Sequence, residues 1–337
     1  MAEALSTPGR PAGWIEEATG FWRAMPDKPL FFSLFIVWVI FFHFLGNSTF
    51  GYVDTPSLFG WWLWVNTRGL DDAGAWEAFK RILSADEAYA WFVPFVVMGL
   101  LWWNRRALMD LPKQTWWPAS VLLVFALLVH ILGYIVQQTR VSIVAFFAGL
   151  YGLTGLVWGA RWLKATFFPH FLFLFCVPMA TLSEKIAFPL RLLATWITVG
   201  LAQTVLGIDV AQNGTSIWEP TGRYQYEVAA ACSGLRSLTA IFALATIYGF
   251  IEFKKNWQRL VIMASAFPLA VAGNVVRLAG IIVAAETFGQ AAGNSLHEST
   301  WFSLLPYVPP IVGLLALGHW LGKGASRAVP LLEARPV

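Results

Sequence analysis

The chain has 337 residues, of which 58% are hydrophobic and only 12% charged, and its formal charge is +4. A soluble domain holds roughly 25% charged residues, so this composition excludes a water-soluble globular protein and points to an integral membrane protein. The small, dispersed positive charge gives no surface for nucleic acid.

Residues 1–29 are polar and contain Pro and Gly, and they read as a cytosolic tail with an interfacial piece around Trp14 to Trp22. No cleavable signal peptide is evident, and 30–45 is expected as a retained first span. Residues 46–87 form a long loop rich in Trp, Gly and Asp, whose WWLW at 61–64 is expected on the membrane surface. Spans are predicted at 88–103, 116–136, 141–160 and 167–182. Within 186–206, Arg191, Thr195, Thr198 and Ala202 recur at helical spacing among Leu192, Leu193, Trp196, Ile197 and Val199. That pattern predicts an amphipathic helix lying in the interface. Residues 207–228 are polar, with turn signals at Asn213-Gly214 and Thr221-Gly222, and predict a small hairpin outside the bilayer. Spans at 232–251, 260–288 and 300–321 and a basic tail complete the chain.

The expected fold class is all-α, a polytopic transmembrane helical bundle of about eight spans with that extracytoplasmic hairpin and the interfacial amphipathic helix. Its regions are a tail at 1–29, spans one to five at 30–183, a core at 184–321 and a second tail at 322–337. Short loops rich in Lys and Arg stay in the cytosol. Arg105, Arg106 and Lys113, then Arg161 and Lys164, then Lys254, Lys255 and Arg259, then Lys323 and Arg327 all fall inside if the N-terminus is cytosolic and 186–206 does not cross. A crossing by that segment, with the other spans kept, would move Lys254, Lys255 and Arg259 outside.

This topology brings three chemical groups to one surface. Cys232 stands where a polar loop meets the sixth span, in AAACSGLRS. Arg236 lies one turn further on the same face. A helix N-terminus and a nearby cation both favour thiolate over thiol. Arg277 lies 18 residues after Arg259, about 27 Å along the helix, which carries it toward the outer leaflet. An arginine inside an apolar span is costly and marks function more often than not. His297 sits in the outer loop just before the last span. A thiolate that attacks a carbonyl, an imidazole that relays the proton and a cation that stabilises the oxyanion make a set for acyl transfer. Asn274, one turn before Arg277, orients it or packs the helix. Each residue also has a plain alternative: Cys232 as a small apolar cap, Arg277 as a snorkelling arginine, Arg236 as an interfacial cation, His297 as a loop histidine. HESTW after Leu296 lacks the second histidine of a zinc-binding H-E-x-x-H, and the other histidines are scattered, so no metal and no cofactor is expected. Cys176 lies in mid-span and is not expected to pair with Cys232.

ACSGLRS at 231–237, GNVVRL at 273–278 and LHE at 296–298 together resemble the three signature blocks of the exosortase/archaeosortase family. The resemblance runs from about Phe188 to Pro309, and its ordered set of blocks is more specific than any one of them. It implies a membrane cysteine peptidase or transpeptidase of the bacterial inner membrane with its active site facing the periplasm. Cys232 would be the nucleophile, with Arg277 and His297 as active-site arginine and histidine. Arg236 would support the thiolate or bind substrate. The implied partners are the lipid bilayer and membrane-anchored proteins with a C-terminal sorting tail: a short motif such as PEP, a membrane helix and a basic cluster. Two other classes remain open from the residues alone, a transporter or flippase that uses Arg277 for an anion, and a non-catalytic assembly subunit of an envelope polysaccharide system.

Overall fold

The computed structural model describes residues 14–49, 52–67, 89–178, 180–227, 235–299 and 302–322. Six of its helices are long and apolar enough to cross a membrane, at 28–45, 117–135, 139–158, 188–206, 256–288 and 304–322. Shorter apolar helices lie at 90–103, 167–176 and 238–252. The protein is therefore an all-α, multi-pass membrane bundle. Its contacts divide into two units, one drawn from residues 1–68 and 92–177, the other mainly from 178–331.

The first unit is built on α1 (Trp14–Ala24), α2 (Lys28–Leu45), α3 (Leu58–Thr67), α4 (Tyr89–Trp103), α5 (Arg105–Asp110), α6 (Ser120–Ile135), α7 (Thr139–Trp158), α8 (Ala160–Ala165) and α9 (Phe167–Phe171). Helix α7 is the most enclosed of its span-length helices. Small residues allow this: Gly149 takes the ring of Trp38, whose indole N–H donates to the Phe146 carbonyl at 3.1 Å. A buried Asn47 ties the chain after α2 to the start of α7. Its amide oxygen accepts from Thr49 and Thr139, and its nitrogen donates to the Thr55 carbonyl at 2.6 Å. Every polar atom of that amide is used, as burial requires. On α1, Glu17 binds Arg105 and also Arg106 at 2.7 Å. The paired guanidinium groups hold the Glu17 carboxyl below its usual range, Arg105 most strongly. The WWLW stretch lies in α3 and is only partly a surface segment: Trp61 is buried, and Trp62 donates to the Cys176 carbonyl at 2.8 Å.

The second unit contains α10 (Ala180–Leu201), three short strands, α11 (Leu235–Glu252), α12 (Asn256–Phe288), α13 (Gln290–Glu298) and α14 (Val308–Gly322). Strands β1 (Ala211–Asn213), β2 (Ser216–Trp218) and β3 (Gln225–Glu227) form an antiparallel sheet in the order β1-β2-β3. The expected polar hairpin is thus a three-stranded sheet.

Two segments differ from expectation. The stretch 167–182 is not one span. Helix α9 passes into a 3-10 turn at Leu172–Cys176, and Val177 is extended at φ −79°, ψ 120°. The residue before a proline avoids helical angles, and Pro178 follows here. The ten residues left are too short for a bilayer that needs about 20.

The second difference is α10, which was expected to lie in the interface with its polar stripe toward water. The stripe is turned inward instead. Arg191, Thr195 and Thr198 are 6%, 0% and 0% exposed, while Trp196 is 66% exposed. Helix α10, continued by a π turn at Ala202–Leu206, runs alongside α12 in the same direction. Leu190 borders the cluster that holds Ala266 and Ala270 and also the one that Ala194 forms with Val271 and Val275, while Val199 and Ala202 share a cluster with Leu278, Ile282 and Ala285. A helix with polar groups inside and apolar groups outside is what lipid demands of a span. With a crossing by α10 in place of one at 167–182, the Lys/Arg-rich loops keep their cytosolic side.

A reporter placed after Pro178 should therefore be cytosolic, on the same side as Lys255, while one at Gly214 should be outside. If Pro178 and Gly214 report the same side, α10 lies along the surface and the inward stripe has another cause.

Candidate functional site

Helix α12 supplies the frame of the site. It carries Arg277, half-buried, and one turn earlier Asn274, which is 7% exposed. Thirty-three residues of α-helix measure about 50 Å, against a hydrocarbon core of about 30 Å. The excess must emerge, and the sheet packs on it. Leu278, Ile282 and Ala285 of α12 share one buried cluster with Val210, Ile217 and Tyr224 of the sheet region. Arg277 thus stands directly before the stretch of α12 that shares a buried cluster with the sheet region.

Polar contacts fix the sheet to this end of α12. Arg223 donates to Glu286 at 2.7 Å, and the Tyr224 hydroxyl donates to the other Glu286 oxygen at 3.1 Å. Glu219, 4% exposed, accepts from the Thr221 hydroxyl at 2.5 Å and from the Arg223 amide at 3.1 Å. These bonds, that from Thr221 first, hold the Glu219 carboxyl down at about 2. Glu286 raises the pKa of Arg223, and burial, reinforced by Glu286, raises that of Tyr224. A groove of about 560 Å³ opens along this edge, lined by Trp218, Glu219, Pro220, Tyr224, Gln225 and Gln290 among others.

His297 belongs to α13, which starts directly after α12. Gly289 separates the two helices at φ 89°, ψ 170°, a region open essentially to glycine alone. The Tyr226 hydroxyl of β3 donates to the Gln290 carbonyl at 3.0 Å and anchors the start of α13. The second motif block has its own steric requirement. A methyl group on Gly273 would collide with the Pro306 carbonyl of the 3-10 turn Phe302–Tyr307. Glycine inside a helix costs about 0.5–1 kcal/mol relative to alanine, so close packing explains its presence here.

Arg236 falls in the first turn of α11, and α11 packs against α12. The side chains of Arg236 and His297 lie outside the described residues, as does all of Cys232. The site residues therefore fall on α11, α12 and α13 and the segment preceding α11, consecutive in the chain and within one unit. Sequence reasoning missed the Glu286–Arg223–Tyr224 tether. Its only signal was a carboxylate near the end of an apolar span with an arginine in the preceding polar loop.

Residues 76–320 match the family model described as transmembrane exosortase. The chain belongs to the transmembrane exosortase family. Membership in this exosortase family supports a membrane-embedded role of the sorting-protease type. No curated protein and no solved structure matches the chain.

Two outcomes test this frame. Gly273→Ala should lower thermal stability in detergent by about 1–3 kcal/mol despite alanine's better helix propensity, because overpacking dominates; an unchanged melting temperature would show that the Pro306 turn yields freely. The depressed Glu219 carboxyl stabilises the sheet at any pH above its unfolded value of about 4.3, and that stabilisation is lost only as pH falls through about 2. Exchange protection of the Arg223 amide should therefore persist from pH 7 to 4 after correction for intrinsic rates. In Glu219→Gln it should fall by roughly tenfold throughout.

Proposed function

We propose that this exosortase is a cysteine peptidase or transpeptidase that cleaves membrane-anchored proteins bearing a C-terminal PEP-CTERM-like tail, at the periplasmic face of the bacterial inner membrane. The observation that supports the reading is the position of Arg277 on α12, between Val275, clustered with α10, and Leu278, clustered with α10 and the sheet region. A substrate whose chain leaves the bilayer at this level meets a guanidinium in surroundings of low dielectric, where charge stabilisation is strong.

In this mechanism the Cys232 thiolate attacks the scissile carbonyl. Arg277 stabilises the oxyanion that develops on the carbonyl oxygen. His297 takes the thiol proton and delivers it to the departing amine, whose C–N bond breaks as the oxyanion collapses. The acyl group is left on sulfur as a thioester. Water, or an acceptor nucleophile with a proton to give up, then attacks the thioester and regenerates the thiol. Arg236, in the first turn of α11, holds the thiolate or an acidic group of the substrate, and Asn274 orients Arg277.

Cys232→Ala should abolish processing of a reporter that carries such a tail, whereas Cys176→Ser should stay active, since Cys176 is buried at 3% exposure. Normal processing by Cys232→Ala would overturn the thiol mechanism and favour a transporter or assembly subunit. Arg277→Ala and Arg277→Lys should each lower processing by roughly 10²–10³, because a single ammonium does not reproduce the guanidinium fork. His297→Gln should still bind the tail and cleave it about 10²–10⁴ times more slowly.

A further inference from the structure

A groove of about 470 Å³ opens between the end of α10 and β1, and the mechanism above does not use it. Trp196, Ile197, Val199 and Gly200 form its helix wall, and Ala211 and Gln212 its strand wall. The helix wall is apolar. A side chain added at Gly200 would meet nothing within 4 Å, so the space beside it is vacant. Val199 shares a buried cluster with Leu278, the residue after Arg277. The groove therefore lies near the level of the candidate site.

The strand wall is a sheet edge. In the order β1-β2-β3, β1 has a neighbour on one side only among the described residues. Its hairpin to β2 fixes which groups face outward. Asn213 pairs with Ser216 across the two-residue loop Gly214-Thr215, with Gly214 at φ 59° and Thr215 at negative φ. That is the pattern of a type II′ turn, in which the closing pair exchanges both main-chain bonds. Pairs alternate along an antiparallel ladder, so the next pair, Gln212 with Ile217, is not hydrogen-bonded. The Gln212 N–H and C=O thus point away from β2. Two residues back, the Val210 carbonyl accepts from the Gln203 side chain at 2.7 Å, which closes the edge there. At Gln212 a main-chain donor and acceptor stay unpaired by any strand. The Gln212 carboxamide oxygen has no hydrogen-bond partner either. An occupant that brings both N–H and C=O at strand spacing matches this wall, whereas a lipid chain leaves its polar groups unmet.

We propose that the groove takes a polypeptide segment in extended form, added as a fourth strand on the free edge of β1, with alternate side chains against Trp196, Ile197 and Gly200. Main-chain bonds give such strand addition its affinity, and the wall that receives alternate side chains gives it selectivity. The occupant is therefore a segment with apolar residues at every second position. The proposal rests on the reading of the chain as one that acts on membrane-anchored proteins, whose extracytoplasmic stretch supplies the strand.

The test uses full-length protein in detergent, in the Cys232→Ala background so that binding is read without chemistry. The probe is a synthetic apolar helix preceded by Val-Ser-Phe-Ser-Val, with five further versions in which one amide of that stretch at a time is an ester. An ester lacks the N–H and keeps the shape. One ester version should bind roughly tenfold more weakly, and those on either side of it should match the amide. Gln212→Ala removes the carboxamide alone. Gln212→Pro also removes the outward N–H, which an edge strand tolerates, and should bind the amide probe roughly tenfold more weakly than Gln212→Ala at similar thermal stability. Gly200→Phe fills the groove and should abolish capture. The proposal is overturned if all five esters bind as the amide does, or if Gly200→Phe captures the probe at the parental level, including the case in which it loses only a co-purified phospholipid. If Gln212→Pro fails to fold, the ester series decides. Normal processing by Cys232→Ala would remove the thiol mechanism and leave the capture results standing, so the two failures are separable.

Discussion

One helix too long for its membrane sets the terms for the second unit. Helix α12 has 33 residues, about 50 Å, and only about 30 Å of it can sit in hydrocarbon. Inside the bilayer its neighbours are helices. Toward its C-terminal end, Leu278 and Ile282 are covered by Val199 and Ala202 of α10 together with Ile217 and Tyr224 of the sheet region. The sheet alone is marginal, since three strands of three residues bury little. It is stable because it rests on α12 and is pinned there by Glu286.

Much of this architecture was legible in the chain. Apolar runs gave most spans to within a few residues, and turn signals marked the hairpin. The three motif blocks gave the family, which the match over 76–320 establishes. The direction in which α10 faces was not legible. A stripe of Arg191, Thr195 and Thr198 has the same period whether water or protein lies against it. Only the long-range partners of α10 on α12 decide between the two. The break near Pro178 had a local signal, the proline itself, but the apolar run around it was read by length. The tether of Arg223 to Glu286 spans 63 positions, and no local pattern announces a pair so far apart.

Each unit buries polar groups between its helices. In the first, Asn47 closes on Thr49 and Thr139, and His130 on Ser142 at 3.0 Å. Such a cluster fixes helix register and leaves little for a ligand. In the second, buried hydroxyls line α10. Thr198 bonds back to its own helix, but Thr195 does not.

The joint at Gly289 has a consequence for any transfer of this site to another protein. Because the chain turns there at angles only glycine adopts, α13 is a separate body from α12. The start of α13 is held by a tyrosine from the sheet. The three motif blocks are therefore not a portable unit. Grafted onto another bundle without residues 211–227, the third block would be joined to the second by an unbraced hinge. A minimal version of this site includes the sheet.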